Sequence, residues 1–268
     1  MATRADLPRA CCYIDAHVHV YPMFDIGCLL ASAADRIGMH AAGAPAAVGC
    51  LLLAETARDH AFDELRRRAA AAEGPAGWGV VETLEEETLV AHHAERPPLV
   101  IAAGRQVRTV EGLEVLSLIS RRDVPDGLSL AATVAAVRAG GGTPVLPWGF
   151  GKWWFGRGRL LRAFLASAPA AGVHLGDSAG RPRGSPEPAA FRWAARGSLP
   201  LPGSDPLPLP GEERRVASYG LVLEGPFDLA RPAASLRRLI AAATGRPRTF
   251  GRRTGWWGFV RAQAALRW

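Results

Sequence analysis

The stretch YIDAHVHVYP, residues Tyr13–Pro22, sets an acid and two histidines at every second position. A β-strand points successive side chains to opposite faces, so Asp15, His17 and His19 share one face, and small or apolar residues share the other. An exposed antiparallel strand shows the same alternation. Two histidines one residue apart on a strand can also reach one metal ion, with an acid nearby to orient them. The pattern therefore predicts a strand and leaves both interpretations of its polar face open.

The composition is that of a globular protein. The chain has 268 residues and is 49% hydrophobic, enough for one large α/β domain or two small ones. No apolar run reaches the roughly 18 residues that a membrane span needs, and the opening MATRADLPRA is charged where a signal peptide is apolar. The four cysteines lack metal-finger spacing, which indicates reduced thiols. We therefore expect a cytoplasmic protein without a membrane span.

The formal net charge is +7, and Lys152 is the only lysine among 32 basic residues. Together with the abundance of Ala, Gly and Pro, this arginine bias indicates a GC-rich genome at least as much as a polyanionic partner. A basic chain is compatible with nucleic-acid or phosphate binding, but charge alone does not establish either.

Strand and helix patterns alternate along the chain. AAVGCLLLAE is typical of a buried strand ending in Glu55, RDHAFDELRRRAAAAEG of a helix and TPVLPW of a later strand. This alternation predicts parallel strands with crossover helices. The proline-rich SLPLPGSDPLPLPGEE is typical of an interdomain linker. We interpret it instead as a loop after the last strand, which ends at Asp205, and so expect residues 1–268 to form a single domain.

Five segments in this order resemble the landmarks of the polymerase and histidinol phosphatase (PHP) domain family: DAHVH, AETARDH, AGRQVRTVEGLEVLSL, AATVAAVRAGGGTPVLPW and GSDP. The resemblance covers roughly residues 13–210. It implies an α/β fold of amidohydrolase-like style, a distorted (β/α) barrel of about seven parallel-type strands. It also implies the metal-dependent phosphoesterase activity that is usual in the family.

The family's metal ligands map onto only part of this chain. Its His-x-His pair falls on His17 and His19, and its strand-end acid falls on Asp205. Gln106, Trp148 and Leu207 stand where the family has a bridging Glu and two histidines. Because three protein ligands and a water suffice for a catalytic zinc, the resemblance implies one divalent ion, Zn, Mn or Fe, rather than a cluster.

The resemblance also implies further site residues. Glu55, in the segment that matches the second motif without a fixed register, and Glu114, at the position of a family histidine, complete the expected ligand set. Asp15 would orient a ligand histidine without itself binding the metal. The alternative for the whole site is a degenerate barrel that binds or regulates without catalysis.

Two glycine-containing loops offer groups for an anionic substrate. Residues 147–159, PWGFGKWWFGRGR, place Lys152 among aromatic residues directly after a strand. We expect Lys152 and Arg105 to hold a small anionic substrate, although an aromatic-packed surface loop with a solvated lysine explains the same pattern. HLGDSAGRPRG places Asp177, Ser178 and Arg181 after another strand, where they either form a helix-capping turn or contact metal or substrate.

The C-terminal segment 245–268 interleaves arginines with Trp256, Trp257, Phe259 and Trp268. Such a segment can bind nucleic acid by stacking and charge, or lie on an anionic membrane. It is equally typical of a C-terminal helix whose tryptophans dock on the barrel, and we favour docking. A nucleic-acid-associated protein is therefore the third hypothesis for function, after a metal-dependent hydrolase and a non-catalytic binding protein. The sequence specifies no oligomeric state.

Overall fold

The structure is a computed structural model that describes residues 7–42, 44, 46–75, 77–193 and 198–266. The first six residues of the charged opening and Trp268 of the C-terminal segment lie outside the described residues.

The described chain contains twelve strands and seven α-helices. The strands are β1 Arg9–Val18, β2 Ala47–Leu53, β3 Gly79–Glu82, β4 Thr88–His93, β5 Arg96–Ala102, β6 Gly104–Arg108, β7 Glu114–Leu118, β8 Thr143–Pro147, β9 His174–Ser178, β10 Pro200–Gly203, β11 Tyr219–Pro226 and β12 Arg248–Gly251. The helices are α1 Ile26–His40, α2 Ala61–Ala70, α3 Leu130–Ala139, α4 Phe155–Leu165, α5 Ala190–Trp193, α6 Pro232–Ala242 and α7 Trp256–Ala265.

The strands form two mixed sheets. A seven-stranded sheet has the order β12-β11-β1-β2-β5-β4-β3, and a five-stranded sheet has the order β10-β9-β8-β7-β6. Pairing is parallel within β1-β2-β5 and within β8-β9-β10, and antiparallel for the remaining neighbours. The α/β class is confirmed.

The predicted distorted barrel of about seven parallel-type strands was wrong, since no closed TIM-like barrel occurs in the described part of the chain. The reason lies in the connections. Only two residues separate β4 from β5, and five separate β6 from β7. Such short connections produce antiparallel hairpins, whereas a parallel pair needs a crossover of about a dozen residues or more.

Within the described residues, backbone hydrogen bonds join the two sheets at two places. At the first, the backbones of Glu55 and Arg105 form an isolated parallel β-bridge. Glu55 N donates to Gly104 O at 3.1 Å, and Gln106 N donates to Glu55 O at 2.8 Å. Gly104 is required there, because a Cβ at this position would lie 2.1 Å from Leu53 O. At the other junction, Asp205 N donates to His17 O at 2.8 Å.

The core connects the sheets as well. One cluster of buried apolar side chains draws members from the seven-stranded sheet, such as Leu52 and Val100, and from the five-stranded sheet, such as Leu116, Val145 and Leu201. Burial of apolar surface therefore stabilises the two sheets together. None of the described helices is both long and apolar enough to pass through a bilayer.

Candidate metal-binding site

His17 and His19 lie at the carboxyl end of β1 and are each about 4% exposed. Their Nε2 atoms are 3.1 Å apart. Asp205 follows β10, and its Oδ1 lies 3.6 Å from His17 Nε2 and 3.7 Å from His19 Nε2. Two neighbouring histidines at the end of β1 and an aspartate far along the chain therefore direct one ligand atom each toward a common point. We call these three residues the His-His-Asp cluster.

Close contact between β10 and β1 places Asp205 beside the histidines. A Cβ on Gly203 would lie 2.4 Å from His17 N, so only glycine permits this approach. The backbone of Asp205 has a φ of 49°, in the left-handed region that aspartate tolerates better than most residues. Ser178 Oγ, at the end of β9, donates to Asp205 Oδ2 at 2.9 Å. Asp205 Oδ1 is thereby left facing the two imidazoles.

Asp15 is fully buried and accepts hydrogen bonds from backbone groups. Ser204 N donates to Oδ1 at 2.8 Å, His17 N to Oδ1 at 3.3 Å, and Ala217 N to Oδ2 at 2.8 Å. Burial raises the pKa of Asp15 to about 6, although these donors oppose the shift. We expected Asp15 to orient an imidazole, whereas its described hydrogen bonds position the backbone on either side of the cluster.

The geometry of the His-His-Asp cluster fits a divalent ion. Two ligand atoms about 2.1 Å from a tetrahedral zinc are about 3.4 Å apart, close to the three separations measured here. Within the described part of the chain, the buried Nδ1 of His19 has no hydrogen-bond partner. The set of two imidazole nitrogens and one carboxylate oxygen suits Zn, Mn or Fe.

Electrostatics keep His19 and Asp205 in ligand form. Burial, followed by the neighbouring His17, lowers the pKa of His19 to about 4, so its ring is neutral at pH 7. Burial on its own would raise the pKa of Asp205, but His17, His19, Ser178 and Lys152 outweigh it, and the net shift is downward. Neutral imidazole and ionised carboxylate are the forms that bind metal.

Tyr21 and Asp59 extend the polar side of the site. The ring of Tyr21 stacks on His19 with centroids 5.5 Å apart. Burial, with help from Asp205, Asp59 and Glu114, raises the pKa of Tyr21, so its hydroxyl remains a donor. Asp59 is buried and accepts from Thr56 N at 3.1 Å and Thr56 Oγ1 at 2.6 Å.

Glu55 and Glu114, two expected ligands, have other partners. Glu55 Oε1 accepts from Phe62 N at 2.7 Å, and burial raises the pKa of Glu55 to about 7. Glu114 Oε1 pairs with Lys152 Nζ at 2.5 Å. Lys152 is near enough to influence the pKa of both His19 and Asp205, so the Lys152–Glu114 pair lies on the same side of the molecule as the cluster.

The remaining expected substrate contacts are also paired with acids or bases. Arg105 Nε lies 3.0 Å from Asp123 Oδ1. Arg181 donates two hydrogen bonds, of 2.7 and 2.8 Å, to the carboxylate of Asp177, and the Tyr219 hydroxyl donates to Asp177 Oδ2 at 3.1 Å. Adjacent residues of a strand face opposite ways, so Asp177 points away from the cluster that Ser178 contacts.

Sequence reasoning grouped Ser178 with Asp177 and Arg181, and it assigned no role in this site to Tyr21 or Asp59. Tyr21 was identifiable, because it continues the same-face alternation of β1. Ser178 follows a predicted strand but carries no signal of its own. Asp59 lies in the segment whose register the sequence leaves open.

No protein-family model and no curated protein matches the chain. Among solved structures, the chain is similar to PsfC from Pseudomonas syringae PB-5123, over 97% of this chain and 98% of that chain, with a TM-score of 0.51. The sequences are 11% identical, so the similarity shows a shared fold.

Proposed function

We propose that the protein is a metal-dependent hydrolase, a phosphoesterase that acts on a small anionic substrate. The observation that carries the proposal is the convergence of His17, His19 and Asp205 on one point at the carboxyl end of β1. Holding a carboxylate that is only 25% exposed beside two buried imidazoles is unfavourable without a partner charge, and a bound cation relieves that cost. The resemblance of the sequence motifs to the PHP family supports the phosphoesterase class.

A divalent ion at this point, Zn, Mn or Fe, would supply a bound water with a pKa lowered toward neutrality. The chain's own residues supply the rest. Ser178 holds Asp205 Oδ2 and so fixes which carboxylate oxygen faces the imidazoles. The backbone donors to Asp15 hold β10 and β1 together beneath the site.

Hydrogen-bond donors near the cluster favour an anionic substrate. Lys152 uses one donor on Glu114, and an ammonium has three. Arg105 forms an ion pair with Asp123 through Nε. The two NH₂ groups of its guanidinium are further donors that this ion pair does not use. The hydroxyl of Tyr21 is held protonated beside His19. These three groups would donate to the phosphate oxygens of the substrate.

The second candidate is a non-catalytic binding or regulatory protein of the same fold. Gln106, Trp148 and Leu207 occupy positions where the PHP family has ligands, and Lys152 and Arg105 are both neutralised by acids. Such a protein would retain an anion or a metal without turning over a substrate.

The first test is the metal content of the purified protein by elemental mass spectrometry, beside the double variant His17→Ala/His19→Ala. We expect about one equivalent of Zn, Mn or Fe in the native protein and loss of it in the variant. The matched control is His92→Ala/His93→Ala, which removes two imidazoles outside the cluster and should retain the metal. A metal-free native protein after reloading, or metal that persists in the first variant, contradicts the proposed site.

Hydrolysis of bis(p-nitrophenyl) phosphate by the loaded protein separates the two candidates. Turnover that is lost in His17→Ala/His19→Ala and kept in the control supports the hydrolase. Stoichiometric metal without turnover of this ester or of p-nitrophenyl phosphate favours the binding protein.

A further inference from the structure

Aromatic side chains form a continuous exposed patch between α7 and the loop that precedes α4. Ring contacts run from Trp256 to Phe259 at 6.2 Å, to Phe150 at 5.0 Å, to Trp154 at 4.9 Å and to Phe155 at 6.5 Å between centroids. We call these five residues, together with Trp257, the aromatic patch.

The patch faces solvent. Phe155 is 85% exposed and Trp257 is 88% exposed. None of the side chains described in α7 is buried, and Val260, one turn after Trp256 and Trp257, is 54% exposed. We expected the tryptophans of this segment to dock on the rest of the chain; Trp256 contacts the ring of Phe259 and is 57% exposed, and Trp257 is the more exposed of the two. Large exposed apolar patches mark interaction surfaces.

The C-terminal segment that carries α7 has charge of one sign, and Glu187, the acidic residue that lines the same cavity as Trp256 and Phe259, is paired with Arg246. Residues 245–268 include six arginines and no acidic residue. Arg252 and Arg261 flank the aromatic residues of α7 in the sequence, are exposed and form no ion pair within the described residues. Arg246 and Arg248, by contrast, pair with Glu187 and Glu224. Arg252 and Arg261 are therefore available to an anionic partner.

These charges select among the partners that could cover the patch. In a symmetric dimer, a surface meets its own copy, so the arginines would face each other and repel. Nucleic acid would satisfy the arginines and stack on the rings, but it offers nothing to the aliphatic side chains of Val260 and Ala264. An anionic lipid surface satisfies both, since tryptophan and aliphatic groups partition into the interface while arginines meet the lipid phosphates.

We propose that the aromatic patch, flanked by Arg252 and Arg261, is a docking surface for an anionic lipid bilayer. The protein would lie on the bilayer, with the side chains of Phe155 and Trp257 inserted among the headgroups. The docking surface does not depend on the metal or on catalysis.

Co-sedimentation with vesicles tests the docking surface. We expect the native protein to bind vesicles of phosphatidylcholine with phosphatidylglycerol, and to bind phosphatidylcholine alone much more weakly. The variant Phe155→Ser/Trp257→Ser should lose affinity by about tenfold or more, because two large apolar side chains no longer leave water. The control Met39→Ser/Leu84→Ser removes two exposed apolar side chains elsewhere and should bind as the native protein does.

A second variant separates charge from apolar insertion. Arg252→Gln/Arg261→Gln keeps the aromatic patch, and its binding to the anionic vesicles should fall by about tenfold or more, at about 1 kcal/mol for each basic residue near the surface. Added salt should weaken vesicle binding by the native protein more than vesicle binding by this variant. Thermal unfolding of each variant checks that the exposed substitutions leave the fold intact.

Three results would overturn the proposal. The first is native protein that stays in the supernatant with anionic vesicles, or patch variants that bind them as well as the control. The second is a dimer of the native protein in sedimentation velocity together with a monomeric Phe155→Ser/Trp257→Ser variant, which assigns the patch to a second copy. The third is patch-dependent retention of a single-stranded oligonucleotide without vesicle binding.

Discussion

Asp15 illustrates how one buried carboxylate can organise a site without facing it. Its two oxygens accept from the backbone of Ser204, His17 and Ala217, three positions on three segments that border the His-His-Asp cluster. Buried N–H groups need acceptors, and here a single side chain provides them. The acid therefore determines where the backbone beside Asp205 and His17 can lie.

We expect Asp15→Asn to lower the free energy of unfolding by about 1–3 kcal/mol at neutral pH. Asparagine keeps one acceptor oxygen, and in either orientation its NH₂ group faces a buried backbone N–H that loses its acceptor. Urea denaturation followed by circular dichroism measures the change.

The matched control is Asp25→Asn. Asp25 caps α1 by accepting from Cys28 N, and asparagine caps helices about as well, so a change within about 0.5 kcal/mol is expected. Equal effects of the two substitutions would show that Asp15 does not have the organising role described here.

At the scale of elements, the site depends on the contact between β10 and β1. The two strands belong to different sheets, and Gly203 lets the backbone of β10 approach His17 closely enough for Asp205 N to reach His17 O. The signal for this contact in the sequence is one glycine in a proline-rich run, and prolines on both sides of it limit pairing to an edge.

We expect Gly203→Ala to weaken metal binding by about 10–100-fold, because the added methyl group would move Asp205 away from the imidazoles. Titration of the metal-free variant with Zn²⁺, in competition with a chromogenic chelator, measures the affinity. Gly38→Ala is the control, since its Cβ would meet only Pro97 Cδ at 4.0 Å on the surface of α1. Native affinity in Gly203→Ala would contradict the proposed dependence on close approach.

At the scale of the whole molecule, the two sheets share buried side chains and two sets of backbone hydrogen bonds. Each sheet also packs on a cluster of its own, which contains Leu30 on the side of the seven-stranded sheet and Leu161 on the side of the five-stranded sheet. The separate clusters would allow each sheet to unfold without the other, whereas the shared core couples the unfolding of the two sheets.

We expect the shared core to prevail, so that circular dichroism and tryptophan fluorescence report one coincident urea transition. Leu30→Ala and Leu161→Ala, which truncate fully buried side chains in the two separate clusters, should each destabilise by about 2–5 kcal/mol and move both signals together. A substitution that moves only one signal would show that the sheets unfold separately.

The sequence by itself determined the local features of this protein. The alternation in β1 identified His17 and His19, because a period of two follows from strand geometry alone. Asp205 at a strand end and the α/β class followed from local pattern and from the resemblance. The chain's helices and most of its strands are predictable in the same way, since apolar periodicity is a local property.

Tertiary structure alone decided which strands pair and which polar groups meet. The antiparallel hairpins and the division into two sheets overturned the predicted barrel, because strand order depends on contacts between distant residues. Glu55, Glu114, Arg105, Asp177 and Arg181 each acquired a partner that no sequence spacing specifies. The exposure of Trp256 and Trp257 was decided in the same way, because an aromatic residue is buried only where the fold provides a surface to cover it.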